Sequence, residues 1–325
     1  MTEQQPLTEL QVNVAPAVNQ FRAEVIAGLT RPQKELPCKY LYDEQGSRLF
    51  DQICELTDYY PTRTETSIME THVHEMAELI GRDCLLIEYG SGSSMKSRIL
   101  LQAMQQLAAY VPIDISCTYL QKTVAALKRD FAGLEILPVC ADYSQPFELP
   151  EPYHPLNRRC VYFPGSTIGN SHPDEAVALL QSIARVCKPG GGLLLGVDLK
   201  KDPARLHQAY NDREGVTAAF NLNMLSRINQ ELGADFQPEQ YRHYAFYNPY
   251  HGRVEIHLVS MTEQQVQLND IAIPLREGET IWTESSYKYT PAEFAHLAET
   301  AGFAVTQVWT DPQKLFSVQF LTAQG

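Results

Sequence analysis

The sequence predicts an α/β fold: a Rossmann-like parallel sheet with helices on both faces, joined to a smaller α+β domain. Three observations predict it. Apolar runs of strand length alternate with helical patterns from about residue 62 to 200. The first of those strands runs into Gly90-Ser-Gly92 and then a helical stretch, the strand–loop–helix that brings a nucleotide-like ligand against backbone N–H groups. The alternation breaks over 201–289 and returns at the end of the chain, so that block reads as an insertion.

Taken in order, the strands fall at 85–88, 110–115, 135–139, 159–163 and Gly192–Asp198. Helical patterns at 96–107, 118–131 and Pro173–Cys187 lie between them. Lys188-Pro-Gly-Gly-Gly192 stops the last of these helices and feeds the fifth strand. The insertion opens with a long helical stretch, 203–233, followed by alternating segments at 241–247, Arg253–Ser260 and 265–268. A helix at 291–301 and strands at 304–310 and 316–322 restore the first theme. The predicted division is a cofactor domain of 62–200 and 290–325, and a substrate domain of 1–61 and 201–289 whose N-terminal part acts as a lid.

The bulk composition excludes several classes. Of 325 residues, 44% are hydrophobic and 20% charged, an ordinary globular balance. The net charge of -13 opposes binding to nucleic acid or to an anionic membrane surface. Residues 1–19 are polar and lack the apolar core of a signal peptide, and no apolar run reaches the roughly 20 residues of a bilayer span. Cysteines at 38, 54, 84, 117, 140, 160 and 187 are odd in number and contain no Cys-x-x-Cys. They read as reduced thiols of a cytoplasmic protein without a disulfide framework. His72 and His74 are too close for one helical face and have no cysteines nearby, so no metal site is expected.

In open α/β sheets the ligand lies over the carboxyl ends of the strands. Those ends supply Glu88 and Gly90, then Asp114, then Asp142 and Tyr143, then Gly165-Ser-Thr-Ile-Gly-Asn170. Asp114 suits the two hydroxyls of a ribose. Asp142 and Tyr143 suit an adenine, with a carboxylate for its amine and a ring for packing. Acids after three successive strands favour S-adenosylmethionine, which carries a sulfonium and no phosphate. The dinucleotide fingerprint is also incomplete, because Met95 stands where its third glycine belongs. Lys96 either reaches the methionyl carboxylate or starts its helix. Any one of these acids alone is an ordinary turn or cap residue.

Here the chain resembles a known family. Tyr42-Asp43-Glu-Gln-Gly-Ser47, Tyr59-Tyr60-Pro-Thr-Arg63-Thr-Glu65, Glu88-Tyr-Gly-Ser-Gly92, Gly165-Ser-Thr-Ile-Gly-Asn170 and Asp198-Leu-Lys-Lys-Asp202 are similar to the histidine-specific Nα-methyltransferases of ergothioneine biosynthesis. So are Ala209-Tyr210, Phe220-Asn221 and Thr283-Glu284-Ser-Ser286, and the markers run from about residue 39 to 320. The resemblance implies a class I methyltransferase sheet, closed by a C-terminal hairpin, and the transfer of three methyl groups to the α-amine of L-histidine, giving hercynine. It places Gly90, Lys96, Asp114, Asp142 and Tyr143 at cofactor positions. It places Tyr42, Tyr59, Gly165, Asn170, Tyr210, Glu284 and Ser286 at substrate positions. Ser116 and Ile256 depart from the family pattern, which has Asp and Met there.

The residue chemistry bears on the substrate. In an extended segment Glu284 and Ser286 face one side. A neutral imidazole offers one N–H donor and one bare nitrogen. A carboxylate takes the first and a serine hydroxyl donates to the second, whereas an indole leaves the serine unpaired and a phenyl ring satisfies neither. An exposed strand with alternating polar residues is the structural alternative. Asn170 and the Tyr210 hydroxyl suit the substrate carboxylate, though Asn170 also suits a helix cap before Pro173. Tyr42 is the expected catalytic residue, accepting a hydrogen bond from the amine, and Tyr60 is the rival of Tyr59 for a place at the site. No dedicated base is needed if the site favours the neutral amine. The competing readings are an N-methyltransferase for another amino acid such as a tryptophan derivative, a cofactor-binding regulator without turnover, and an NAD oxidoreductase. A monomer acting on a free amino acid is expected.

Overall fold

The structure is a computed structural model that describes residues 11–12, 18–104 and 106–325. The polar start of the chain lies largely outside the described residues, as does Gln105 within the expected helix 96–107. In chain order the elements are β1 (Gln11–Val12), α1 (Val18–Leu29), β2 (Lys34–Glu35), α2 (Glu44–Glu55), α3 (Tyr60–Ile80), β3 (Cys84–Tyr89), α4 (Met95–Ala103) and β4 (Leu107–Asp114). Then come α5 (Cys117–Asp130), β5 (Val139–Cys140), β6 (Arg158–Phe163), α6 (Pro173–Cys187), β7 (Gly192–Asp198), α7 (Pro203–Tyr210) and α8 (Val216–Leu232). The chain ends with β8 (Tyr241–Asn248), β9 (Arg253–Ser260), β10 (Gln264–Leu268), β11 (Ile271–Leu275), β12 (Thr280–Tyr287), α9 (Pro291–Thr300), β13 (Phe303–Thr310) and β14 (Phe316–Ala323).

Eight strands form the main sheet in the order β1-β5-β4-β3-β6-β7-β14-β13, with only β14 and β13 antiparallel to their neighbours. The chain winds outward from β3 in both directions, so the crevice over the carboxyl ends of β3, β4 and β6 is the switch point of the sheet. β3 and β7 are buried along their whole length, as strands covered by helices on both faces must be. Two apolar clusters fill those faces: one holds Leu85, Ile87, Val111 and Leu180, and the other holds Met69, Leu86, Leu100 and Leu120. A third cluster, with Phe21, Tyr40, Ile53, Met224 and Ile256, belongs to the N-terminal elements and the inserted block. There β2-β12-β9-β8 form a second sheet and β10-β11 a hairpin beside it.

Several sequence expectations need correction. The strand expected at 135–139 pairs only as Val139–Cys140, with a lone bridge at Ile136, because Pro138 has no N–H to give the ladder. The helix expected to reach residue 107 ends at Ala103, and Leu107 already opens β4. The long helical stretch 203–233 is two helices. Gly215 sits at φ +75, and the Asp212 carboxylate accepts from the backbone N–H groups of Val216 and Thr217, so a new helix starts there. β11 and β12 were not separated from their surroundings in the sequence pattern. The cysteine reading also fails at one pair: Cys117 and Cys140 are joined by a disulfide. Parallel pairing sets Cys140 beside Asp114, three residues before Cys117, and brings the two Cα atoms to 5.2 Å. Their separation of 23 residues in sequence conceals that neighbourhood. No helix among the described residues is long and apolar enough to cross a membrane.

Candidate active site

The carboxyl ends of β3, β4, β5 and β6 open into a cavity of ≈ 870 Å³, and residues of α2, α7, α8 and β12 complete its walls. The sheet-end half is built from backbone. Gly90 leaves β3 at φ +71, and a Cβ there would come within 3.9 Å of the Tyr143 ring. Asp114 ends β4 with one oxygen accepting from Gly92 N at 3.0 Å and the other from Ser116 N at 2.9 Å. Burial raises its pKa, and those N–H groups oppose the rise. Ser116, one of the two departures from the family pattern, is buried and contributes its backbone N–H to this carboxylate.

Asp142 and Tyr143 follow β5. Asp142 accepts from Ser144 N at 2.9 Å, and Lys39 Nζ lies 3.1 Å from its other oxygen. Tyr143 stacks on Tyr89 with ring centroids 5.2 Å apart. Lys96 lines the cavity but is paired with Glu65, whose carboxylate also accepts from Gly165 N at 3.0 Å. Glu88 lies under the glycine loop, where Ser97 and Tyr110 donate to it. Burial pushes its carboxyl up to about 7, with those hydroxyls and Lys96 opposing. These groups fit S-adenosylmethionine. Carboxylates and an aromatic ring stand at the ends of successive strands, and the loop offers backbone N–H groups with no lysine there, among the described residues, free to cradle a phosphate.

The opposite half is built from side chains far apart in sequence. β12 carries a bulge at Thr283: Trp282 pairs with His257, but Glu284 pairs with Ile256. Without it Trp282 and Glu284 would share a face. With it Trp282 stacks on His257 with centroids 5.8 Å apart, while Glu284 and Ser286 turn to the other face and into the cavity. Asn170 Nδ2 donates to Glu284 Oε1 at 2.9 Å. Burial lifts the Glu284 carboxyl to about 7, although Lys288 and Asn170 pull the other way. The Tyr210 hydroxyl lies 2.9 Å from Ser286 Oγ. Asn170 and Tyr210 were expected to act together, and in the structure each is paired instead with one residue of β12.

Tyr42 meets Phe50 and Phe220 edge-on at 5.6 and 5.4 Å, and Tyr59 meets Tyr210 at 6.1 Å. Neither the Tyr42 nor the Tyr59 hydroxyl has a hydrogen-bond partner among the described residues. Burial, then Glu284 and Cys38, holds the Tyr42 phenol well above its usual pKa, so it stays protonated at neutral pH. Tyr60, the rival of Tyr59, points elsewhere: its hydroxyl donates to Asp198 Oδ2 at 2.8 Å and also meets Lys201 Nζ at 2.6 Å. Ile256 lines the cavity beside Glu284. All twelve residues named from the sequence therefore converge on one cavity. Sequence reasoning placed Asp198 and Lys201 within a family motif without giving either a role, and it missed Lys288; Asp198 lines the cavity and the two lysines stand behind it. Lys288 was in reach, since the alternation that joins 284 to 286 continues to 288. Among the described residues no group of three His, Cys, Asp or Glu is arranged to hold a metal.

A doubly wound sheet with a buried acid at its switch point and a second polar half facing it is the arrangement of an S-adenosylmethionine-dependent methyltransferase, and comparison with known proteins places the chain in that class. The sequence model of the histidine-specific, S-adenosylmethionine-dependent methyltransferases matches residues 21–323, and the chain belongs to that family. It is 43% identical over 303 residues to the histidine N-alpha-methyltransferase of Mycolicibacterium smegmatis, covering 91% of this chain and 92% of that protein. The Mycobacterium tuberculosis histidine N-alpha-methyltransferase is 40% identical over 297 residues, with 90% and 91% covered. Ergothioneine biosynthesis protein 1 of Neurospora crassa is 30% identical over 306 residues, which span 88% of this chain and 33% of that protein.

Proposed function

We propose that this enzyme moves three methyl groups in succession from S-adenosylmethionine to the α-amino nitrogen of L-histidine, giving hercynine, the first step of ergothioneine biosynthesis. The observation that carries this reading is the pair on β12: a carboxylate at 284 with one oxygen held by Asn170, and a hydroxyl at 286, both facing the cavity. Glu284 accepts the imidazole N–H on its free oxygen, and Ser286 donates to the bare ring nitrogen. Tyr210 and Asn170 face the α-carboxylate, and the backbone at Gly165 borders the amine. The two sets of segments, 62–200 with 290–325 and 1–61 with 201–289, act as cofactor and substrate domains.

The bound cofactor supplies an electrophilic methyl on a sulfonium. The chain aligns the amine lone pair with that methyl, excludes water and lets the amine reach its neutral form. Tyr42, protonated, accepts a hydrogen bond from the amine on its oxygen and so orients the lone pair. The N–C bond forms as the C–S bond breaks, S-adenosylhomocysteine leaves, and the spent N–H proton passes to water. The third transfer has no N–H proton to lose and yields a quaternary ammonium. The faces of Tyr42, Phe50 and Phe220 tolerate that cation. The protein works as a cytoplasmic monomer on a free amino acid, and light scattering at micromolar concentration tests the monomer.

The deciding experiment is mass spectrometry of the purified protein incubated with S-adenosylmethionine and L-histidine, L-tryptophan or L-tyrosine. A gain of three methyls on histidine alone is expected. Methylation of tryptophan instead would overturn the reading of Glu284 and Ser286, and cofactor binding without methylation would leave a regulator.

A further inference from the structure

At the polar wall of the cavity, where Asp198 is part of the lining and Lys201 and Lys288 lie behind it, is a buried charge cluster that the reaction as described does not use. Lys288, fully buried, directs its ammonium at three oxygens: Tyr210 OH at 2.7 Å, Ser286 Oγ at 2.8 Å and Asp198 Oδ2 at 2.7 Å. Its three N–H donors are thereby all used. Asp198 Oδ1 takes Lys201 Nζ at 2.6 Å, and Tyr60 also donates to this carboxylate. The cluster thus holds two ammonium groups against one carboxylate, a net positive charge beneath Tyr210 and Ser286. Burial works against the Lys288 charge, but Asp198 and the Tyr210 oxygen outweigh it and keep the amine protonated.

We propose that Lys288 is a positioning residue that makes Ser286 and Tyr210 hydrogen-bond donors toward the substrate, and so restricts the ring to one presenting a bare nitrogen. This rests on the reading of Ser286 and Tyr210 given above. Proton counting makes the case. The two hydroxyls lie 2.9 Å apart, so when the ligand is absent one donates to the other. A pair left to itself would have one free proton, and the donor of the pair could not serve the substrate without leaving its partner's oxygen unpaired. Lys288 already fills an acceptor site on both oxygens. Both hydroxyls can then turn their protons into the cavity with nothing left unsatisfied, one to the ring nitrogen and one to the carboxylate. An imidazolium would bring a second N–H and a positive charge toward an oxygen that already accepts from an ammonium. A ring with C–H at that position would leave the Ser286 proton buried and unpaired.

The test compares L-histidine with a pyrrolylalanine, which keeps a ring N–H but lacks the bare nitrogen. The ratio of their kcat/KM values is measured for the wild type, Ser286→Ala, Lys288→Met and the double variant, and S-adenosylhomocysteine affinity is measured alongside. Lys288→Met leaves the Asp198–Lys201 pair balanced, so it removes the donor without stranding a charge. If it nonetheless fails to bind S-adenosylhomocysteine, Lys288→Gln, which accepts as well as donates, takes its place. Expected is a fall of about tenfold in the ratio for Ser286→Ala and for Lys288→Met, little further loss in the double variant, and cofactor affinity within about twofold of wild type. A wild-type ratio in Lys288→Met, with Ser286→Ala still losing selectivity, overturns the role of Lys288 and leaves the function intact. A wild-type ratio in Ser286→Ala overturns the reading of Ser286 itself, and this proposal with it.

Discussion

The cofactor half and the substrate half of the cavity are organised by different means. In the first, Asp114 is held by N–H groups from Gly92 and Ser116, and the loop shape comes from glycine at positive φ. Its geometry is set mainly by the main sheet, which lays the glycine loop after β3 beside the end of β4. In the second, Asn170 holds Glu284 from 114 residues away, and Tyr210 meets Ser286 across 76. The first exists only once the main sheet and the second sheet have been brought together, and the second only once α7 has packed against β12. The cofactor half therefore follows mainly from the main sheet and the substrate half from the packing of the inserted block, so damage to one should spare the other.

The largest expected break is Glu284→Ala. It removes the buried acceptor for the ring N–H and strands the Asn170 amide, so kcat/KM for histidine should fall about 10³-fold. S-adenosylhomocysteine affinity, measured by calorimetry, should stay within about twofold of wild type. An equal loss of cofactor binding would mean that the halves are not separable. The converse is Asp114→Asn. An amide has one acceptor oxygen where the carboxylate serves two N–H groups, so with the ribose role proposed for Asp114 S-adenosylhomocysteine should bind about 10²-fold more weakly. The KM for histidine at saturating cofactor should move by less than about threefold.

The same difference explains what the sequence disclosed. The strand ends of the main sheet were legible because hydrophobic alternation and glycine turns are local signals. Every residue assigned to the cofactor from them lies at the cavity. The strand at 135–139 was overcounted because Pro138 interrupts its ladder, although its carboxyl end was placed correctly. In the substrate half, motif likeness supplied the residues, and the spacing of Glu284 and Ser286 gave their common face. The bulge at Thr283 left no mark in the pattern, since it exists only relative to the register of β9. Lys288, and the role of the motif residues Asp198 and Lys201, were hidden for a similar reason: charges next to apolar strands read as strand ends until the fold closes them on one another. The Cys117–Cys140 bridge was hidden by parallel pairing, which joins residues with no regular spacing.

A smaller effect sharpens the comparison by pH. The Glu284 carboxyl stands at about 7, above its usual value, chiefly because it is buried. It must be ionised to accept a ring N–H, so the proton competes with substrate below pH 7 and no longer does so above it. Binding should strengthen as pH rises through 7. With a triazolylalanine, whose ring stays neutral across this range, KM should fall about tenfold between pH 6 and 8 and then level. In Glu284→Gln the same plot should be flat.

The smallest expected effects separate two adjacent tyrosines. Tyr60→Phe removes the hydroxyl that donates to Asp198, leaving a buried carboxylate with two ammonium partners and one bond fewer. It should cost about 1–2 kcal/mol of stability, read as a lower Tm, because the lost bond is to a charged group. Tyr59→Phe removes a hydroxyl that has no partner among the described residues and leaves the ring against Tyr210 at 6.1 Å. Its Tm should be unchanged, while KM for histidine rises by about threefold if that hydroxyl meets the substrate. A Tyr59→Phe variant that melts early with normal KM, beside a Tyr60→Phe variant of normal Tm and raised KM, would exchange their roles. Tyr60, with the Asp198 carboxylate that already lines the cavity, would then meet the substrate, and the boundary between the wall and the charges behind it would have to be redrawn one residue along the chain.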